Sequence, residues 1–544
     1  MRKVLWAIIG IAVTLGVRCP RAAGATEPEL LLRWQFIGTQ RLSTDPEANA
    51  LRELWALPAS RELRDHTLRK LAEAVLPLFG PGTEAPDTDR VALAAPLFED
   101  LLQAESFFEM RGGSSGAPDW LLAVRLDPPR AEVWRTNLHR LATGRTPGAD
   151  AAAGWSARVA GAAGASGKLF AFTQAGGWTV LSRAAGEAFP LREQVLGRLK
   201  ATGRPDPETR NSWLKTEINL PRLQPALGLP AFVDWPGVAL TIHGKDQFVR
   251  TEGRLHFDAP GRWTLEPWTI PVHTIHDPAN NPLTSFLAVR GFAHWLSRQP
   301  IAKELALTAV PNQGFLWSHS QIPFQTYFGL RTAEVTNTIH RLAAWLPNHM
   351  PTTWVESGAG EVRFETNATL IYLPRVPFVG AFIRPAPVED PDFLMGGLLP
   401  ESRRATNPPP AELLREVTSR TNLVCYEWEV TEARVLHWRA ISQLVSILAN
   451  QRPAGTNDLS QRWIESLAPN LGNTVTVVTQ ANDHDLDLVR KSRLGLSSWE
   501  IVLAAYWLTD PAFPALQTPA ILRPSATQPV PTGARSRRNT PPSP

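Results

Sequence analysis

Leu423-Val424-Cys425-Tyr426-Glu427-Trp428 is followed by a stretch of helical spacing that contains Trp438-Arg439. Val475-Thr476-Val477-Val478-Thr479-Gln480-Ala481 comes next, then a polar turn, Leu486 to Val489, and a run from Ser498 to Leu508. Short apolar runs bounded by turn residues predict strands, and apolar residues three and four apart predict helices. The segment therefore reads as strand, helix, hairpin, helix. The same order stands upstream. Asp119-Trp120-Leu121-Leu122-Ala123-Val124-Arg125 reads as a strand before a helix with Trp134-Arg135. Phe170 to Ala175 and Trp178 to Leu181 read as a hairpin around Gly176-Gly177, and Leu191 to Lys200 as the closing helix. The two Trp-Arg pairs are 304 residues apart and the two Thr-Gln-Ala triplets 306 apart. A looser copy starts at Leu287-Ala288-Val289-Arg290, with Trp295 in its helix, strands at 314–318 and 326–330, and a helix from Glu334 to Leu346.

Hairpin links dominate this pattern, and hairpins make antiparallel pairs. The expected fold class is α+β, mainly antiparallel sheets with packed helices, built from repeated β-α-β-β-α units. A helical N-terminal region is expected because Leu63, Thr67, Leu71, Val75 and Leu78 form one stripe and Val91 to Met110 a second apolar run. Nine prolines after residue 510 predict a disordered tail, since proline fixes φ and removes a donor. The expected division is 1–25 signal peptide, 26–117 helical region, and 118–283 first α+β unit with added strands. A second such unit spans 284–420, a third 421–510, and the tail 511–544.

Three stretches carry a likeness: Leu283 to Gly291, Thr421 to Glu429, and Leu488-Val489-Arg490-Lys491-Ser492. They resemble segments of a family of exported bacterial proteins of unknown function. The resemblance covers most of the chain beyond the signal segment. It implies export and a shared fold, and it assigns no functional residue.

The N-terminus gives a physical reason to expect export. Met1-Arg2-Lys3 is a basic start, Val4 to Val17 is apolar and uncharged, and Ala23-Gly24-Ala25 is a small-x-small cleavage pattern. The apolar run is shorter than the roughly 20 residues of a spanning helix, so membrane contact is expected only through an uncleaved signal. Cleavage after Ala25 would leave Cys425 as the sole cysteine, which excludes a disulfide framework or a cysteine-based zinc site. The net charge of +4 in 544 residues comes from the two termini, so no basic nucleic-acid surface is implied.

The search for chemistry returns few candidates. No phosphate-binding glycine loop is formed, because Gly161 to Lys168 lacks the required spacing. No Gly-x-Ser-x-Gly elbow occurs, and no cofactor is expected. His273 and His276 have the spacing of a metal pair, but Pro271 and Pro278 bracket them, so no metal site is expected. Asp483-His484-Asp485-Leu486-Asp487 reads as a solvated turn rather than a calcium loop. Glu427 and Glu429 share one face of a strand, roughly 6.5–7 Å apart, near the carboxyl separation of inverting glycosidases. Val424, Tyr426, Trp428 and Val430 alternate with them, so the two carboxylates are expected on a wet face. Trp178, Trp235, Trp263 and Trp268 lie in or beside turns and are the candidate ligand-stacking residues.

The expected function is an exported, non-enzymatic binding or structural module of the cell envelope, with an envelope protein or polysaccharide as partner. The alternatives are an envelope hydrolase acting on glycans through Glu427 and Glu429, and a chaperone-like assembly factor.

Overall fold

β-Branched and aromatic residues in short runs form strands here, and almost every strand finds its neighbour in antiparallel fashion. In the computed structural model residues 29–514 are described, except 80–87, 113–117, 149–153, 160–167, 185, 207–211, 228–233, 279–280, 308, 323–324, 350–360, 366–367, 374–377, 399–405 and 449–457. The signal segment 1–25, the Pro-rich tail from 515 onward and most of Gly161–Lys168 lie outside the described residues.

The first nine strands are β1 (Leu30–Phe36), β2 (Ser106–Arg111), β3 (Asp119–Arg125), β4 (Gly154–Val159), β5 (Lys168–Ala175), β6 (Trp178–Ala184), β7 (Leu214–Asn219), β8 (Gly237–Lys245) and β9 (Phe248–His256). Then come β10 (Asp277–Pro278), β11 (Leu283–Arg290), β12 (Gln313–His319), β13 (Thr326–Arg331), β14 (Glu361–Glu365), β15 (Ala368–Leu373), β16 (Phe378–Pro385) and β17 (Phe393–Leu398). The last are β18 (Thr406–Asn407), β19 (Leu423–Val430), β20 (Asn473–Gln480) and β21 (Asp485–Ser492). Apart from the small β10–β18 pair, all join one 19-stranded sheet. Its N-terminal half runs β4-β5-β6-β3-β2-β1-β7-β8-β9. The β9–β21 pair, from Asp485↔His256 to Ser492↔Val249, joins it to the C-terminal half. That half continues β20-β19-β11-β12-β13-β17-β16-β15-β14. The class is α+β with a large antiparallel sheet.

One face carries a layer of helices, including Asn49–Ala56, Pro58–Val75, Thr88–Gln103, Pro128–Thr143, Thr431–Leu448, Leu459–Leu467 and Ser498–Thr509. Helices from both halves meet in it and share one core. Leu32, Trp34 and Phe36 of β1 and Phe108 of β2 pack with Leu63, Leu71, Leu101, Trp463, Ile464 and Leu508. On the opposite face two helices pack against cores of their own. Helix Pro190–Thr202 brings Leu191, Val195 and Leu199 onto Phe107, Leu121 and Val180. Helix Ala411–Thr418 brings Leu413 and Val417 to a core of Phe286, Phe315, Trp317, Tyr327 and Tyr426. Between these patches β9 and β21 turn Arg254, His256, Asp487 and Val489 to the surface.

Two expectations are corrected. Residues 26–117 are not purely helical, because β1 and β2 bracket the helices and pair with each other. The 304- and 306-residue spacings do not mark equivalent units. In 118–203 the first strand, β3, pairs with the second strand of its hairpin, β6. In 421–510 the first strand, β19, pairs with β20, the first strand of its hairpin. An additional strand, β4, has no counterpart among the described residues there. Trp134 is buried and Trp438 only half-buried.

Candidate functional site

The carboxylates are the first test. Glu429 is 3% exposed, and the wet-face expectation fails for it. Helices Thr431–Leu448 and Ser498–Thr509 lie over that face of β19, so both faces of the strand are covered. Glu429 accepts hydrogen bonds from Ser498 N at 2.7 Å and Ser498 Oγ at 2.5 Å. It thereby satisfies orphan donors at the start of helix Ser498–Thr509. Ser497 and Glu500 close a capping box on the same turn. Burial pushes the Glu429 carboxyl up, and the Ser498 hydrogen bonds only partly offset this. Burial raises half-buried Glu427 as well, against the nearby charge of Arg490.

Several of the other polar groups beneath these helices bond to one another. Arg490 donates from Nε to Thr476 Oγ1 at 2.9 Å and from Nη1 to Glu500 Oε2 at 2.6 Å. Thr431 donates to Thr474 Oγ1 at 2.6 Å. Arg434, fully buried, stacks over the Trp438 ring and is pulled down to about 10 by burial against the charges of Glu429 and Glu427. His437 is lowered to about 4 by burial and by Arg434. Burial raises the Cys425 thiol to about 12, so no thiolate nucleophile is present near neutral pH. The cluster can anchor two helices to the sheet. A catalytic acid must reach a substrate proton, and Glu429 sits under the helix it caps.

The other candidates do not converge. Trp178 is 2% exposed, inside the core under helix Pro190–Thr202, with Nε1 donating to Gly203 O at 3.1 Å. Its place beside a turn misleads because the following helix folds back over it. Trp235, Trp263 and Trp268 are half-buried at separate places. Trp263 meets Phe257 edge-on, while Trp268 packs on Phe315 beneath the Arg290 guanidinium. His273 is exposed, and His276 turns inward to Thr274 O and the His319 ring. Among the described residues no group of three or more His, Cys, Asp or Glu could hold a metal ion.

The feature that residue patterns do not disclose is a cavity of about 490 Å³ at the meeting of the two halves. Phe36 ends β1, and Gly38 turns the chain at φ +83° against Gln103 and Ala104, where a Cβ would lie 2.3 Å from Gln103 O. Leu42, Leu51, Leu54, Trp55 and Leu63 line one side. Trp463, Leu467, Leu494, Leu496 and Leu508 line the other. Two hydroxyls in the wall are satisfied internally: Ser60 Oγ donates to Leu54 O and accepts from Trp463 Nε1, and Thr67 Oγ1 donates to Leu63 O. Exposed Gln40, Ser43 and Gln103 stand at the rim. Gln40 and Gln103 also border a polar recess of about 370 Å³ with Arg41, Glu105, Arg125 and Asp127.

Comparison with protein-family models, with curated proteins and with solved structures finds no match.

Proposed function

We propose that the protein is an exported, non-enzymatic binding module of the cell envelope, and that the cavity between the two sets of helices is its binding site. The cavity carries this reading. Ligand sites are concave, mainly apolar spaces of about 300–1,000 Å³ with a few polar groups, and this one has that size and lining. Apolar walls hold water poorly, so an apolar guest is the economical filling. Export is supported by the basic start, the apolar run and Ala23-Gly24-Ala25. Among the described residues no helix is long and apolar enough to cross a membrane.

A structural repeat is the second part of the proposal. Segments 284–347 and 421–510 are read as two copies of one unit. The support is that first strand, first hairpin strand and second hairpin strand neighbour one another in both, as β11-β12-β13 and β19-β20-β21.

The test is fluorescence titration of the full chain with N-phenyl-1-naphthylamine, a neutral apolar probe. Saturable binding at one site is expected. Leu51→Trp should abolish it, because Leu51 is a half-buried wall residue from which an indole can fill the space. No binding by the folded wild type would reject the cavity as a site.

A further inference from the structure

The charges around the cavity are one-sided. Arg52 and Arg64 line it, and no carboxylate does. Arg64 donates from Nε to Asp65 at 2.6 Å, and so has its counter-ion. Arg52 is different. Its guanidinium donates to two neutral oxygens, Ser43 O and Asn49 Oδ1, and no carboxylate lies within ion-pair reach among the described residues. It is half-buried at the rim of an apolar space, where a charge-assisted hydrogen bond gains strength from the low local dielectric.

We propose that the cavity takes an amphiphile with one apolar chain and one anionic head, the head at Arg52 and the chain along Leu54, Leu63, Trp463 and Leu508; this rests on the cavity being the binding site. The Ser60 and Thr67 hydroxyls spend their protons on the carbonyls of Leu54 and Leu63, so neither offers a donor to a second polar group inside. The chain end is therefore apolar. The polar recess that shares Gln40 and Gln103 with the rim contains two guanidiniums and two carboxylates, so it adds no net charge. It leaves room for a head larger than a bare carboxylate.

The experiment displaces bound N-phenyl-1-naphthylamine with palmitate, hexadecanol and hexadecylamine at pH 7.5, below their aggregation limits. Palmitate should compete about ten- to a hundredfold better than hexadecanol, the range of one hydrogen bond to a charged group, and hexadecylamine should be weakest. Arg52→Gln should bring palmitate down to hexadecanol without moving the latter, and Arg52→Lys should keep most of the preference. Equal competition by all three in the wild type overturns the anionic head while leaving the cavity a binding site. Failure of the probe itself to bind refutes both. A palmitate preference that survives in folded Arg52→Gln overturns the placement of the head.

Discussion

Replacing Glu429 by Ala removes the acceptor for both the backbone N–H and the hydroxyl of Ser498, 2.7 and 2.5 Å away. Hydrogen bonds to a charged group are worth about 1.5–3 kcal/mol each, giving a gross loss of about 3–6 kcal/mol. Part of this is returned, because the raised carboxyl shows that the buried charge is itself unfavourable. The expected net loss is about 2–4 kcal/mol. Glu429→Gln keeps an acceptor for Ser498 N and drops the charge, so it should cost less than half as much. The pH dependence separates the two contributions. A carboxyl whose folded pKa is raised contributes stability that is present below its unfolded pKa and lost as pH rises through the folded value. The Glu429→Ala penalty should therefore grow on acidification from pH 8 toward 4.5. Equilibrium urea unfolding followed by circular dichroism reads both. A penalty under 1 kcal/mol would refute the capping role, and one that shrinks on acidification would refute the raised carboxyl.

Two further substitutions probe other parts of the fold. Trp134, 1% exposed and donating from Nε1 to Asp100 at 2.8 Å, should cost about 3–5 kcal/mol as Ala, and half-buried Trp438 about half that; equal costs in urea unfolding would contradict the difference in burial. His437 is held neutral to about pH 4 against an ordinary 6.5, so stability complete above 6.5 is lost as pH falls toward 4. This is worth about 2–3 kcal/mol once partial solvent screening is allowed for. Because Glu427 and Glu429 act in the opposite sense, the observable is the difference between wild type and His437→Gln, which should narrow over that interval; a constant difference would show that His437 titrates normally.

The antiparallel α+β class was legible because hairpins announce themselves locally, as in Lys168 to Ala184 and Asn473 to Ser492. Pairing partners were not. β3 pairs with β2, the strand just before it, and with β6, whereas β19 pairs with β20 and with β11, far upstream in the chain. The alternation of Glu427 and Glu429 with Tyr426 and Trp428 correctly separates two faces of β19. It reports a difference in polarity and not which face meets water, and here helices cover the polar one. The cavity left no local trace. Its wall joins Leu51, Leu54 and Trp55 to Trp463, Leu467 and Leu508, and each group on its own has the spacing of ordinary core.

The β9–β21 seam has a consequence for how the chain is made. Every pairing among β1 to β9 lies within the first 256 residues, so these strands have their mutual partners before the rest of the chain is made. Until Asp485 has been synthesised, β9 is an unpaired edge, and at about 5–20 residues per second this lasts tens of seconds. An open edge invites pairing with another nascent chain. The sequence of β9 carries Arg250, Glu252 and Arg254 on one face and a glycine at 253, features that make an edge a poor template for aggregation. The later ion pair of Arg254 with Asp487 and the hydrogen bond between His256 and Asp485, both at 2.8 Å, then favour β21 as the neighbour.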